Sequence, residues 1–205
     1  MKNNMKWLCL VALGLIVALL GGCSYNAIQT SDENINAAWS EVLNEYQRRA
    51  DLVPNLAAAV KGYASHEENV LVEVAQARAR VGSIQMTPDM AKDPAALAAF
   101  DQHQGELSAA LSRLMVVSEK YPELKADTLF QNLQVQLEGS ENRIAVARGR
   151  YIKTVQDYNV QIRKLPGVLV AKAFGYQPRP NFSVANEAAI SKAPVVDFSS
   201  RGPGR

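Results

Sequence analysis

The 205-residue sequence predicts an all-α protein: an elongated up-and-down antiparallel bundle of about four long helices, with an N-terminal signal or anchor and an irregular C-terminal tail. Three observations predict it. Apolar residues recur at alternating spacings of three and four, so they share one helical face. The runs are broken at proline and glycine. The connections between striped segments are short, which makes successive helices antiparallel neighbours. No segment carries a strand-like alternation.

The chain opens with Lys2 and Lys6, followed by an unbroken apolar run, Trp7 to Leu20. A secretory signal has a basic start, ~7–15 apolar residues and small residues at the cut. A spanning helix takes ~20 apolar residues, range ~17–25, and Trp7 to Gly22 falls slightly short of that. Leu20-Gly21-Gly22-Cys23 resembles the bacterial lipobox, with Gly where Ala or Ser is more usual. The resemblance implies that Cys23 becomes the first residue of the mature chain and is acylated. Each buried CH₂ adds ~0.8 kcal/mol, so several chains anchor stably where one does not. The alternative is an uncleaved amino-terminal anchor helix with Cys23 an incidental thiol. The expected divisions are 1–22 signal or anchor, 23–30 tether, 31–175 bundle and 176–205 extended, partly disordered tail.

The first bundle helix is expected from about Ser31 to Ala50, capped by Ser31 or Asp32. Ile35, Trp39, Val42 and Tyr46 form its buried seam. Pro54 interrupts it, because an interior proline costs ~3 kcal/mol whereas one in a first turn is tolerated. Asp51 then caps a second helix, about Pro54 to Val81; a kinked continuation of the first is the competing expectation. The second seam is Leu56, Val60, Tyr63, Glu67, Val70, Val74, Ala77 and Val81, apolar except for Glu67. Gly82–Asp93 reads as a flexible loop. Asp93 caps a third helix opened by Pro94. Its seam is Leu97, Phe100, Gln104, Leu107, Leu111, Leu114 and Val117. A fourth helix is expected from Pro122 to Leu165, a rod of ~65 Å. Its seam runs from Phe130 through Leu133, Leu137, Ser140, Ile144, Ala147, Tyr151, Val155 and Tyr158 to Ile162 and Leu165. A short apolar piece, Val168 to Phe174, ends at Gly175. Beyond it, Asn186–Lys192 has room for a turn or two of helix, Pro194–Phe198 is expected to pack on the body as an extended strip, and Ser199–Arg205 to be disordered.

Two of the 22 basic residues lie in the apolar signal region, leaving 20 against 20 acidic ones. That balance argues against a nucleic-acid binder, which needs a basic face, and equally removes any polybasic adhesion to lipid heads. With Cys9 in the signal and Cys23 acylated, the body has no disulfide and is stable through its core alone.

Several strings resemble the LemA family. They include Tyr25-Asn26, Trp39, Gln47 to Leu56 (QRRADLVPNL) and Val60 to Glu67 (VKGYASHE). Further on come Tyr121 to Ala126 (YPELKA), Leu137 to Ile144 (LEGSENRI), Ala147 to Tyr151 (ARGRY), Asp157-Tyr158-Asn159, Gly175-Tyr176 and Pro194 to Phe198 (PVVDF). Two positions depart from the family pattern: Ile152 stands where Asn is usual, and Leu165-Pro166 where Phe-Pro is usual. The first puts in doubt a polar role at that spot. The resemblance implies a membrane-anchored helical bundle and no established catalytic activity.

Candidate chemistry is sparse. Glu67, with His66 beside it, is a carboxylate on an apolar seam, costly unless paired or hydrated. It is expected either to meet Arg49 or Arg148 in an interaction groove or to reach solvent at a boundary position. Tyr151 and Tyr158 share one face of the fourth helix. They either pack in the seam with each hydroxyl bonded at its edge or line an aromatic groove for a partner helix or peptide. His103 and Glu106 form one reversed metal-ligand pair, and a dinuclear bundle site needs more. No nucleophile elbow or phosphate loop is present, so no cofactor and no metal is expected.

The expected function is a non-enzymatic scaffold or interaction module of the cell envelope. Its partners would be the membrane, through the N-terminus, and an envelope protein that the sequence does not name, with self-association open and nucleic acid excluded. The alternative is an enzyme, or an accessory transport or ligand-binding subunit, using a polar groove around Glu67. The expected location is a bacterial membrane, lipid-anchored, with the body on the extracytoplasmic side. Ser24 resembles signals that permit sorting to an outer membrane.

Overall fold

The computed structural model describes residues 2–64, 66–84 and 87–182. The predictions for Asn186–Lys192, Pro194–Phe198 and Ser199–Arg205 lie outside them. The described backbone is mostly helical, with α1 Lys2–Tyr63, α2 Glu68–Gly82, α3 Pro94–Ser118, α4 Pro122–Ala126, α5 Thr128–Gln161 and α6 Gly167–Phe174. A 3₁₀ turn, Pro88–Lys92, precedes α3.

α1 is one helix where a signal, a tether and two bundle helices are expected. Its buried positions explain this. Ile28, Ile35, Trp39, Val42, Tyr46, Arg49, Val53, Leu56 and Val60 hold one phase, in steps of three, four and seven, across both expected breaks. Residues 23–30 are therefore helical, and Ile28 is fully buried. Pro54 lacks an N–H, which orphans the Ala50 carbonyl one turn earlier. Arg78 of α2 meets that carbonyl through Nε at 3.2 Å. The true break falls at 64–67, where α1 turns back into α2.

The ion pairs set the topology. Glu73–Arg113 and Arg80–Glu106, each at 2.8 Å, run α2 and α3 antiparallel. Arg143–Glu45 at 2.9 Å, Arg150–Glu41 and Ser31–Gln161 run α5 antiparallel to α1. α1 and α5 form the principal packed pair. The described body is thus an up-and-down bundle, with the N-terminal part of α1 running beyond it.

The expected fourth helix is divided. Asp127 is extended (φ −67°, ψ 123°) and its carboxylate accepts from the Phe130 amide at 2.9 Å, capping α5 separately from α4. Tyr63 donates to the same carboxylate at 2.7 Å. The seam from Phe130 to Ile162 is buried throughout, but Leu165 is 75 % exposed because α5 ends at Gln161. The expected flexible loop 82–93 is also part structure: Met90 and Ala91 are buried, and Trp39 Nε1 donates to the Thr87 carbonyl at 3.2 Å. Asp93 caps α3 as expected, accepting from the Ala95 amide at 2.8 Å. Gly175 ends α6 in the left-handed region, φ 74°.

The apolar interior is two cores. One joins α1 from Ile28 to Tyr46, the 3₁₀ turn, the start of α3, the second half of α5 and α6. The other joins α1 from Val53 to Ala64, α2, the second half of α3, α4 and the start of α5. Between them lies a layer of buried polar side chains.

If Arg78 is what lets α1 pass Pro54, Arg78→Met costs about 1 kcal/mol, the usual net value of a hydrogen bond. In a Pro54→Ala background the residue 54 amide regains the Ala50 carbonyl, and the same change becomes nearly neutral. Urea unfolding of the four-member cycle measures the coupling; equal penalties in both backgrounds would refute this account.

Candidate functional site

The polar layer is built on Arg49, which occupies the α1 seam position between Tyr46 and Val53 and is 1 % exposed. A buried guanidinium must be paired and hydrogen-bonded. Its Nη1 donates to Ser108 Oγ and to Glu141 Oε1, each at 2.7 Å. Its Nη2 donates to the Gln104 carbonyl at 3.3 Å and to Gln104 Oε1. The guanidinium carbon also lies 5.1 Å from the Tyr46 ring centre. Gln104 stands on the α3 seam and Ser140, fully buried, on the α5 seam at the same level. Two donors in the layer stay unpartnered, Arg49 Nε and Gln104 Nε2.

Two turns along α5, Arg148 donates to Asp101 and, at 2.9 Å, to the Tyr46 hydroxyl. Burial disfavours its charge, but the bonds to Asp101 and Tyr46 outweigh that and hold its pKa above the ordinary value. Tyr46 is shifted upward, chiefly by burial. Phe182 covers Arg148 with its ring centre 4.0 Å from the guanidinium carbon. Arg49 and Arg148 thus open on one groove of about 550 Å³ between α3 and α5. Gly105 on one wall and Gly149 on the other have open space where a Cβ would stand.

The structure brings Arg49 and Arg148 together but places Glu67 and His66 elsewhere. Glu67 precedes α2 instead of lying on its seam, and meets Lys120 at 3.7 Å. His66 is exposed in the same turn. A polar groove joining Glu67 to the arginines is therefore absent from the described residues. The reason is the position of the α1–α2 turn, which falls on these residues.

Tyr151 and Tyr158 are buried and clamp the strip 176–182 onto α5. Tyr151 donates to the Pro180 carbonyl at 3.3 Å, and Tyr158 to the Gln177 carbonyl at 3.2 Å. Asn159 exchanges two 2.9 Å bonds with the Arg179 backbone, while the Arg179 side chain pairs with Asp32. Trp39, Tyr151 and Phe182 form an aromatic cluster, centroids 5.3–6.0 Å apart. This matches seam packing with each hydroxyl bonded at the edge. Ile152, in place of a polar family residue, offers its carbonyl to Asn181 at 3.3 Å. His103 and Glu106 are 3.4 Å apart, but Glu106 is already held by Arg80. Among the described residues no group of three or more His, Cys, Asp or Glu is gathered for a metal.

With the geometry in place, comparison with known proteins decides the family. The LemA family profile matches residues 38–198, most of the chain. The chain belongs to the LemA family. It is also similar to magnetosome proteins MamQ 1 and MamQ 2 of Paramagnetospirillum magneticum, each 26% identical over 192 residues. MamQ of Magnetospirillum gryphiswaldense is 26% identical over 188 residues. Each alignment covers 84% of this chain and 68% of the relative. This LemA-family chain places its family strings at structural joints: Arg49 in the layer, Pro54 at the rescued carbonyl, and Tyr151, Tyr158 and Asn159 on the strip.

Two outcomes follow. Arg49→Met leaves Gln104 buried and unpaired and costs about 2 kcal/mol, the penalty of a buried neutral group left unsatisfied. Arg49→Met with Gln104→Leu joins the two cores and recovers most of it, since Glu141 remains in contact with solvent. Denaturant titration distinguishes the two; an equal loss in both would assign the stability to the ion pair alone. Separately, burial pushes Tyr151 up to about 12, against ~10 in the unfolded chain. The fold favours the neutral phenol, so its contribution is complete below about pH 10 and lost as pH rises toward 12. Tyr151→Phe should flatten the fall in Tm across that window; an unchanged slope would contradict the shift.

Proposed function

We propose that this LemA-family chain is a membrane-anchored protein of the cell envelope that acts as a non-enzymatic scaffold, receiving a partner segment in the groove between α3 and α5. One observation carries the reading. Gly105 and Gly149 each weaken a helix by ~1 kcal/mol relative to Ala, yet the folded chain leaves open space at both Cβ positions. Their absent side chains are explained by something that approaches the helix backbones from outside.

The anchor rests on the apolar run ahead of Cys23, whose thiol is exposed. Among the described residues no helix is long and apolar enough to cross a membrane; the acylation of Cys23 rests on the lipobox-like Leu20-Gly21-Gly22-Cys23. The body would then lie on the extracytoplasmic side. The relatives are named as magnetosome proteins, and that supports membrane association. The rival reading, an enzyme or a transport or ligand-binding subunit at Glu67, is less well supported, because Glu67 pairs with Lys120 and the polar groove lies at Arg49.

A photo-crosslinking residue in place of Ala145, on the groove wall, should capture a reproducible envelope protein in intact cells. Gly149→Leu, which fills the groove, should abolish that product without lowering Tm by more than a few degrees. The same product from position 129, outside the groove, or its survival in Gly149→Leu, would defeat the proposal.

A further inference from the structure

The end of the bundle nearest Cys23 has a character that the balanced overall charge conceals. Residues 1–31 and 158–182 contain Lys2, Lys6, Arg163, Lys164, Lys172 and Arg179, and not one Asp or Glu. Arg179 is neutralised by Asp32. Arg163, Lys164 and Lys172 are exposed and have no ion pair among the described residues.

The same end exposes large apolar side chains. Leu165 is 75 %, Leu169 63 % and Phe174 65 % exposed, all on or beside the short helix α6. α6 starts tight against the end of α5 and packs on α1: a Cβ on Gly167 would stand 2.3 Å from the Gln161 carbonyl oxygen of α5 and in ordinary contact, 3.9 Å, with Ile28 Cδ1 of α1. Tyr25 meets Phe174 with ring centres 4.9 Å apart. Between the two helices, beside Cys23, Tyr25 and Asn26 of α1 face Leu169, Val170, Ala173 and Phe174 of α6 across a mostly apolar cleft.

We infer that α6 and the residues just before it form a second membrane contact, seated in the surface layer of an anionic phospholipid bilayer. Leu165, Leu169 and Phe174 enter the acyl boundary, the cleft receives part of an acyl chain, and Arg163, Lys164 and Lys172 meet lipid phosphates. Leucine and phenylalanine beside lysine and arginine is the composition of an interfacial helix, and each basic group near an anionic surface adds attraction. Position selects the occupant. The cleft sits where the apolar run of α1 ends, beside Cys23, so an attachment at either place brings α6 to the bilayer surface. The inference rests on the membrane attachment proposed above. It adds a defined orientation, because one tether leaves a body free to swivel and two separated contacts do not.

The test uses the full chain in nanodiscs of phosphatidylcholine and phosphatidylglycerol with brominated acyl chains, which quench nearby tryptophan. Leu169→Trp is read in a Trp7→Phe background, where the buried Trp39 supplies a constant signal. Leu165→Trp repeats the reading, and Leu129→Trp, exposed at the opposite end, is the control. Both α6 reporters should be quenched well beyond the control, and replacing Arg163, Lys164 and Lys172 with Glu should return them to the control level without lowering Tm. Quenching equal to the control, in a chain that still floats with the discs, would overturn the α6 contact while leaving the anchor intact. A chain that does not float would overturn the anchor as well. Unquenched reporters that cross-link between copies would identify a second chain as the occupant and also overturn the inference.

Discussion

A guanidinium enclosed in a helical bundle can be tolerated only if its donors are met by several neighbours at once. Arg49 of α1 is met by Gln104 and Ser108 of α3 and by Glu141 of α5. That requirement ties three helices at one height. Apolar seams alone tolerate a shift of one helix along another by a turn, because leucine in the place of leucine changes little. A shift at Arg49 would leave a buried charge and a buried amide without partners, at several kcal/mol. The two cores, one on each side of the layer, inherit their alignment from it.

The seams were legible because burial imposes a period that spacing alone reveals. Every α3 seam residue from Leu97 to Val117 is buried, including the polar Gln104. Gln104 on that stripe, and Arg49 continuing the phase of Trp39, Val42 and Tyr46, were the sequence signals for the layer. Arg49 does not stand out when the first helix is ended at Ala50, and without it Gln104 has no partner to suggest. Pro54 hid the continuity, because its cost is local whereas its relief comes from Arg78, 24 positions onward on another helix. The Asp127 cap was missed for a related reason: a capping aspartate inside a striped run leaves the period undisturbed.

The site was less legible than the fold. Glu67 drew attention as the one charge on an apolar seam, but the seam ended before it. Tyr151 and Tyr158 were correctly placed on one buried face, yet their hydroxyls serve the 176–182 strip, which has no period to announce it. Whole-chain charge gave the wrong impression at the Cys23 end. A total near zero is compatible with six basic residues and no acid over two segments far apart in sequence, and only the packing of α6 on α1 brings those segments together.

Continuity of α1 gives these features a common geometry. From Cys23 to Arg49 the helix is uninterrupted, and 26 residues at 1.5 Å each place the groove ~39 Å along the axis from Cys23. A chain joined by a flexible tether at 23–30 would let the groove sample many heights above a membrane. A helix already buried at Ile28 and packed on α5 down to Arg49 allows far fewer. Asp32–Arg179 and Ser31–Gln161 brace the same stretch from outside the core. A catalyst gains little from standing at a set height above a bilayer, whereas a scaffold depends on it. The stiffness of α1 therefore favours the same reading as the open glycines at its groove.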